Sequence, residues 1–136
     1  LLMSNNLRVI KPEFKAVLQN KHLIGVDQDR LGKMGQRVSE YNGDNQVWTK
    51  QLSPLKSGGS SPYVVLYLNT ETLGVPSILS NKLSELIPEL KVDIQYEVHD
   101  LFDDNAKIAT LTRKEKLTLE VPNSGSVRVV KLVPLE

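Results

Sequence analysis

The sequence predicts a mainly β protein, in which an antiparallel β-sandwich follows one incomplete βα unit. From residue 36 onward, short apolar segments of strand length alternate with turn signals, which is typical of a sandwich. Residues 91–102 alternate apolar and polar side chains, as in a half-buried strand. Before residue 35 the apolar spacing is helical instead. We therefore expect two parts, residues 1–35 and a sandwich domain at residues 36–136.

The first part has the pattern of one strand followed by one helix. Residues 1–4 form a continuous apolar run, as in a strand that is covered on both faces. Pro12 suits the first turn of a helix, and Asn20 is expected to end that helix. A second short apolar element is expected at residues 22–26. One strand and one helix cannot bury their own apolar faces, so this unit implies neighbours that the chain lacks.

The second part is predicted to contain seven or eight short strands. They are expected at residues 36–41, 46–52, 63–68, 91–102, 108–112, 117–121 and 127–133, with an Asn-Gly hairpin turn at residues 42–45. Residues 77–90 suit either a helix or a strand, and we favour a strand followed by a loop because strands flank them. A domain of this size can bury a core of its own.

The chain resembles a known family in both parts. Residues 1–8 (LLMSNNLR) and 24–35 (IGVDQDRLGKMG) resemble the end of the catalytic barrel in the α-galactosidase / α-N-acetylgalactosaminidase family of glycoside hydrolases. Asp27 stands where that family usually has Asn, and Arg30 where it usually has Pro. Weaker motifs of the family's C-terminal sandwich follow in the same order, at Val47, Trp48 and Leu52, at residues 96–101 and at residues 121–134.

This resemblance implies the C-terminal portion of a retaining glycosidase that removes terminal α-linked galactose or N-acetylgalactosamine from glycoconjugates. Residues 1–35 would be the last βα unit of a (β/α)8 barrel. The family's two catalytic aspartates lie on earlier barrel strands, so we assign no catalytic, substrate-binding or metal residue and expect the chain alone to be inactive. The implied partner is the N-terminal barrel portion of the same enzyme, and a homodimer stays open. No cofactor is implied, and the implied location is lysosomal or secreted.

A non-catalytic module is the alternative, either carbohydrate-binding or structural and oligomerising. Four aromatic residues could stack on a sugar ring, although such residues more often fill a sandwich core. They are Trp48, Tyr63, Tyr67 and Tyr96. Their exposure would distinguish a sugar-binding face from a packed interior.

Two features of the first part are weak candidates for a site. Met3 would lie near the C-terminal end of a barrel strand, where such barrels bind substrate, but core packing explains it better. The residues from Asp27 to Gly32 faintly resemble a calcium loop. Leu31 and Val38 occupy places where oxygen ligands are needed, so we favour capping and turn bonding by the carboxylates.

The second part offers acidic residues and one of the two histidines. Asp100, Asp103 and Asp104 cluster near a turn, which favours a solvated turn over acid–base chemistry. His22 is expected at the surface and His99 at a strand end. Neither lies near a serine or cysteine motif, so a nucleophilic triad is excluded.

Composition gives no reason to expect nucleic acid or a membrane as a partner. Seventeen basic and 16 acidic residues give a net charge of +1, too small for electrostatic binding of a polyanion. Cysteine is absent, which rules out a disulfide or a thiolate site within this sequence. No apolar run approaches the roughly 20 residues of a membrane span.

Overall fold

The computed structural model describes residues 6, 8–38 and 45–136, and these residues form a mainly antiparallel β structure. The expected strand at residues 1–4 lies outside the described residues, as do residues 42–44 of the turn expected at residues 42–45; Asn45 is the first residue of a strand instead. The elements are α1 (Pro12–Leu18), α2 (Lys21–Asp27), β1 (Gln36–Arg37), β2 (Asn45–Gln51), β3 (Tyr63–Asn69), β4 (Ser77–Lys82), α3 (Leu83–Leu86), β5 (Gln95–Asp100), β6 (Ala106–Thr112), β7 (Lys116–Val121) and β8 (Val127–Leu135).

The strands form two sheets that pack face to face. The larger sheet has six strands in the order β1-β2-β3-β8-β5-β6, and the smaller is the ribbon β4-β7. Each neighbouring pair is antiparallel. β8 lies between β3 and β5, with Leu132 opposite both Tyr63 and Val98. The predicted antiparallel sandwich is thus confirmed.

The main core lies between the inner face of the larger sheet and the ribbon. In β7, buried Leu117, Leu119 and Val121 alternate with exposed residues, as the sequence pattern predicted. The larger sheet contributes the wholly buried Tyr67 and Tyr96. Burying a large apolar side chain contributes about 1.5–3 kcal/mol, so these contacts hold the ribbon on the sheet.

A second apolar cluster covers the outer face of the larger sheet. Its buried members are Leu52, Val64, Leu101 and Val129, and the partly buried Leu23 and Val26 of α2 pack against them. The helical segment that precedes the sandwich in sequence is therefore attached to the sandwich through an apolar contact of its own.

The helical segment differs from the sequence prediction at Asn20. α1 begins at Pro12 as expected, but it ends at Leu18, and Asn20 begins α2 instead of ending α1. Its side-chain oxygen accepts hydrogen bonds from the backbone N–H groups of His22 (2.9 Å) and Leu23 (3.2 Å). Asparagine is among the best residues for capping a helix N-terminus in this way. The expected second element at residues 22–26 is this helix, α2.

The expected strand at residues 77–90 is correct only in its first half. After β4 the chain forms one helical turn, α3, where a loop was expected. Glu85 stabilises this turn by accepting a hydrogen bond from the N–H of Lys82 (3.1 Å), and Ile87 donates to the carbonyl of Leu83 (2.8 Å). Such local bonding is a short-range signal that alternation of apolar residues does not reveal.

The expected strand at residues 91–102 is shorter at both ends. β5 starts at Gln95 because its antiparallel neighbours end there: Gln95 lies opposite Thr112, the last residue of β6, and opposite Leu135, the last residue of β8. Lys91 lies in the connection before β5 and donates its backbone N–H to the hydroxyl of Tyr96 (3.1 Å). Pattern alone predicted the strand, but pairing fixed its length.

Candidate functional site

The three clustered aspartates do not form a carboxylate pair, because they face different partners. Asp100 is 4% exposed, accepts a hydrogen bond from Arg128 Nη2 (2.5 Å) and accepts another from the N–H of Phe102 (2.9 Å). Asp103 and Asp104 are exposed in the turn that joins β5 to β6. The solvated-turn interpretation holds for those two residues, whereas Asp100 is a buried ion-pair partner. Acid–base catalysis by this cluster has no geometric support.

Asp29 fastens the segment after α2 to the loop after β2. Its Oδ1 accepts hydrogen bonds from the N–H of Leu31 (3.0 Å), the N–H of Ser53 (2.9 Å) and the hydroxyl of Ser53 (3.1 Å). Partial burial raises the pKa of Asp29, but these hydrogen bonds together outweigh it and lower that pKa. This arrangement is the turn bonding expected from the sequence. Within the described ranges, no three acidic or histidine side chains group as metal ligands would.

Polar contacts fix α2 to the sandwich at both of its ends. The side-chain amide of Asn20 donates to the carbonyl of Leu101 (2.8 Å) at the start of the helix. Lys50 donates from Nζ to the carbonyl of Val26 (2.5 Å) at the other end, where a cation suits both the helix dipole and an unpaired carbonyl. Together with the apolar contacts of Leu23 and Val26, these bonds hold α2 against the outer face of the larger sheet.

Both histidines lie beside acidic partners. His22 Nε2 is 3.0 Å from Asp104 Oδ1. The His22 side chain is 24% exposed, so it is partly buried, whereas a surface position was expected. His99 is the next-to-last residue of β5, as predicted. Its Nδ1 is 2.9 Å from the carbonyl oxygen of Asn105, and its Nε2 is 3.2 Å from Glu97 Oε2. His22 and Asp104 are 82 residues apart in sequence, so a local sequence pattern could not predict their contact. His99 and Asn105 are only 6 residues apart.

The aromatic residues are divided between the core and the surface. Tyr63, Tyr67 and Tyr96 are buried, as the packing interpretation predicted. Trp48 is 38% exposed on the outer face of the larger sheet, and its indole N–H donates to Gln46 Oε1 (3.2 Å). Tyr67 and Tyr96 are thus unavailable for stacking on a sugar, and Tyr63 is only 9% exposed. Met3, the other weak candidate, lies outside the described residues.

A cavity of about 450 Å³ lies between residues 33–38, β2 and α3. Lys33 and Arg37 line one side, and Glu85 and Glu89 line the other. Tyr63, which was considered for sugar stacking, also contributes to the lining. Glu85 is already engaged by the N–H of Lys82, and Lys33 donates to Gln51 Oε1. The cavity is therefore a mixed-charge cleft whose polar groups are partly satisfied within the chain.

A smaller cavity, of about 210 Å³, lies beneath α2, and His22, Asp29, Asn105 and Lys131 contribute to its lining. Two of these residues, His22 and Asp29, also take part in the contacts that hold α2 and the segment after it. No helix in the described part of the chain is both long and apolar enough to cross a bilayer.

Known proteins resemble this chain in sequence. No family model matches it. Human α-galactosidase A is 42% identical over 77 residues, which are 56% of this chain and 16% of that protein. Chicken α-N-acetylgalactosaminidase is 29% identical over 127 residues, which are 93% of this chain and 29% of that protein. The chain thus spans less than a third of the length of either relative.

Solved structures resemble it in fold. α-Galactosidase I from Mortierella vinacea superposes with a TM-score of 0.78 at 23% identity, over 97% of this chain and 31% of that one. The Saccharomyces cerevisiae α-galactosidase solved with raffinose gives a TM-score of 0.73 at 17% identity, over 96% and 39% respectively. The chain is therefore related in sequence and in fold to α-galactosidases and α-N-acetylgalactosaminidases, and it resembles the C-terminal part of that family.

Proposed function

We propose that this chain is the C-terminal portion of a retaining α-galactosidase-like glycoside hydrolase, which removes terminal α-linked galactose or N-acetylgalactosamine from glycoconjugates. The observation that carries the proposal is the alignment with chicken α-N-acetylgalactosaminidase, because it extends over 93% of this chain and therefore includes both helical and sandwich segments. The two catalytic carboxylates that a retaining glycosidase needs would come from the N-terminal barrel portion of the same enzyme.

The different packing of α1 and α2 supports the proposal that one helix contacts the barrel and the other contacts the sandwich. α2 packs on the outer face of the sandwich through Leu23 and Val26. α1 buries none of its residues and leaves Phe14 56% and Val17 46% exposed. An apolar helix face of this kind needs a partner. In our proposal residues 1–35 are the last βα unit of the barrel, so α1 packs against other barrel elements while α2 joins the barrel to the sandwich.

The alternative of a carbohydrate-binding module has weaker support. Such a module binds sugars through exposed aromatic rings, and Tyr63, Tyr67 and Tyr96 are buried here.

We also infer a lysosomal or secreted location, and this inference rests on the family resemblance alone. The same resemblance leaves a homodimer open.

The test compares the longer protein with this chain alone. Intact mass spectrometry of the natural protein should reveal a chain with roughly 250 residues of barrel before Leu1. That protein should hydrolyse an aryl α-galactoside or an aryl α-N-acetylgalactosaminide, whereas the 136-residue chain should hydrolyse neither. A longer protein inactive on both substrates would overturn the proposed activity. Turnover by a mass-verified preparation of this chain alone would overturn the assignment of the carboxylates to the barrel.

A further inference from the structure

The sequence contains two histidines, and both lie against the same turn. His22 comes from α2 and His99 from β5, and they contact the adjacent residues Asp104 and Asn105 between β5 and β6. These two residues have φ angles of +44° and +64°. That left-handed region is uncommon for residues other than glycine, although Asp and Asn tolerate it best. The turn therefore depends on contacts that hold its shape.

The surroundings of His99 suit a doubly protonated ring. One ring nitrogen faces the backbone carbonyl of Asn105 (2.9 Å) and the other faces the carboxylate of Glu97 (3.2 Å). Both of these oxygens only accept hydrogen bonds, and a neutral imidazole has a single N–H to donate. Only the imidazolium form satisfies both partners. Glu97 favours that charge, while the cross-strand neighbours Lys107 and Lys131 oppose it.

His22 has a similar dependence on its charge. Its Nε2 lies 3.0 Å from Asp104 Oδ1, and the ammonium group of Lys21 lies 3.6 Å from the same oxygen. Asp29 and Lys131 line the cavity beneath α2 together with His22. A charged imidazole makes a stronger hydrogen bond to a carboxylate than a neutral one does. The contact between α2 and the turn is accordingly strongest when His22 is protonated.

Both carboxylate partners stay ionised in the range where histidine gains its proton. The hydrogen bond from His22, and then the charge of Lys21, lower the pKa of Asp104. The hydrogen bond from Lys107, and then that from His99, lower the pKa of Glu97. Mild acid therefore leaves these two carboxylates charged, so they remain available to a protonated imidazole.

We propose that His22, His99, Asp104 and Asn105 form an acid-dependent clamp, which fastens α2 to the β5–β6 turn when both imidazoles are protonated and loosens when they lose their charge. Interactions that need the protonated ring stabilise the fold only while the imidazoles carry their charge, so they are lost when a rise in pH removes the second ring proton. The amide of Asn20 also holds α2, through the carbonyl of Leu101, so loosening weakens this contact without detaching the helix. The clamp does not depend on the proposed hydrolase activity.

Amide hydrogen exchange on the whole protein tests the clamp. After correction for intrinsic exchange, protection of α2 should be roughly threefold to tenfold higher at about pH 5.5 than at about pH 7.5, as expected for charge-assisted bonds at a partly exposed site. Protection of the central strand β3 should change less. Equal protection of α2 at both pH values would overturn the proposal, and this outcome is separate from the glycosidase assay.

Substitutions identify the groups responsible. The double variant His22→Gln with His99→Gln keeps hydrogen-bond donors that do not titrate, so its α2 protection should no longer depend on pH. Asp93→Asn alters an exposed carboxylate outside the clamp and should behave as wild type. A double variant that keeps the full pH dependence would overturn the proposal. In the wild-type protein, NMR should find the imidazole signals and the amides of Asp104 and Asn105 titrating together, and independent titrations would contradict the clamp whether or not the variants fold.

Discussion

At the scale of single residues, some carboxylates in this chain accept hydrogen bonds from segments that are distant in sequence. Asp29 joins the residues after α2 to Ser53, which follows β2, with a sequence separation of 24 residues. The bond involves both the backbone and the hydroxyl of Ser53. Losing this carboxylate would take away the acceptor that the backbone N–H of Ser53 has in the fold, and this loss would lower the stability of the folded state.

Asp29→Ala should lower the free energy of unfolding by about 1–2 kcal/mol at neutral pH, because it removes three hydrogen bonds and leaves the Ser53 amide unpaired. The pKa of Asp29 is lowered on folding. The stability that Asp29 contributes is therefore fully present above the ordinary aspartate pKa and is lost as pH falls through the lowered pKa of the folded state. Urea unfolding at about pH 7 and about pH 3 measures both effects. Asp93→Ala is the control, and an equal loss in that variant would contradict the prediction.

Glu136 should titrate far below an ordinary glutamate. The Ser60 hydroxyl, then the Ser60 N–H, and more weakly Lys91, lower its pKa to about 2. The folded pKa lies below the unfolded one, so this contact stabilises the fold above about pH 4.5 and is lost as pH falls toward 2. Carboxyl-carbon NMR titration should find the Glu136 pKa raised in Ser60→Ala relative to the wild-type protein. An ordinary Glu136 pKa in the wild-type protein would refute this expectation.

At the scale of elements, the β4-β7 ribbon depends on its packing. A two-stranded ribbon is at best marginally stable by itself in water. Leu79 is wholly buried against the larger sheet, whereas its neighbour Ile78 is 67% exposed. The two residues share a strand and a similar side-chain size, so they separate the contribution of burial from that of strand propensity.

Leu79→Ala should cost about 2–5 kcal/mol of unfolding free energy, because it leaves a cavity between the two sheets. Ile78→Ala should cost much less, about 1 kcal/mol or below, because its side chain already faces solvent. Chemical denaturation of the two variants gives the comparison. Similar losses in both would mean that the ribbon does not depend on the core for its stability.

Elements with a strong local pattern were predictable from sequence, whereas pairing was not. The alternation of Leu117, Leu119 and Val121 predicted β7 correctly, and the apolar run at residues 63–68 predicted β3. Asn20 was assigned to the wrong helix end because both ends attract asparagine. The contact of His22 with Asp104 spans 82 residues, and no periodicity of the sequence encodes such a pairing.

At the scale of the whole molecule, α1 and α2 should contribute unequally to stability. Phe14 in α1 is 56% exposed, while Leu23 in α2 packs on the outer apolar cluster. In our proposal α1 faces the barrel portion of the longer enzyme, so its apolar side chains matter only when that portion is present. Stability of the chain alone and stability of the longer protein therefore report on different surfaces.

Phe14→Ala should change the unfolding free energy of the 136-residue chain by less than about 0.5 kcal/mol, because the ring is exposed. The same substitution should lower the thermal stability of the longer enzyme. Leu23→Ala is the matched control and should destabilise both proteins by about 1–3 kcal/mol, since it removes part of a buried apolar contact. A large loss from Phe14→Ala in the chain alone would contradict the assignment of α1 to the barrel.

The position of β8 has a consequence for how the protein is made. β8 is translated after all of its sheet neighbours, yet it is the strand that joins β3 to β5. A nascent chain that has not yet emerged from the ribosome as far as residue 127 holds β1-β2-β3 and β5-β6 as two separate pieces, each with an open edge. Open edges recruit other strands, so an incomplete chain is prone to aggregation. A premature stop codon before β8 should therefore give a product that cellular quality control removes.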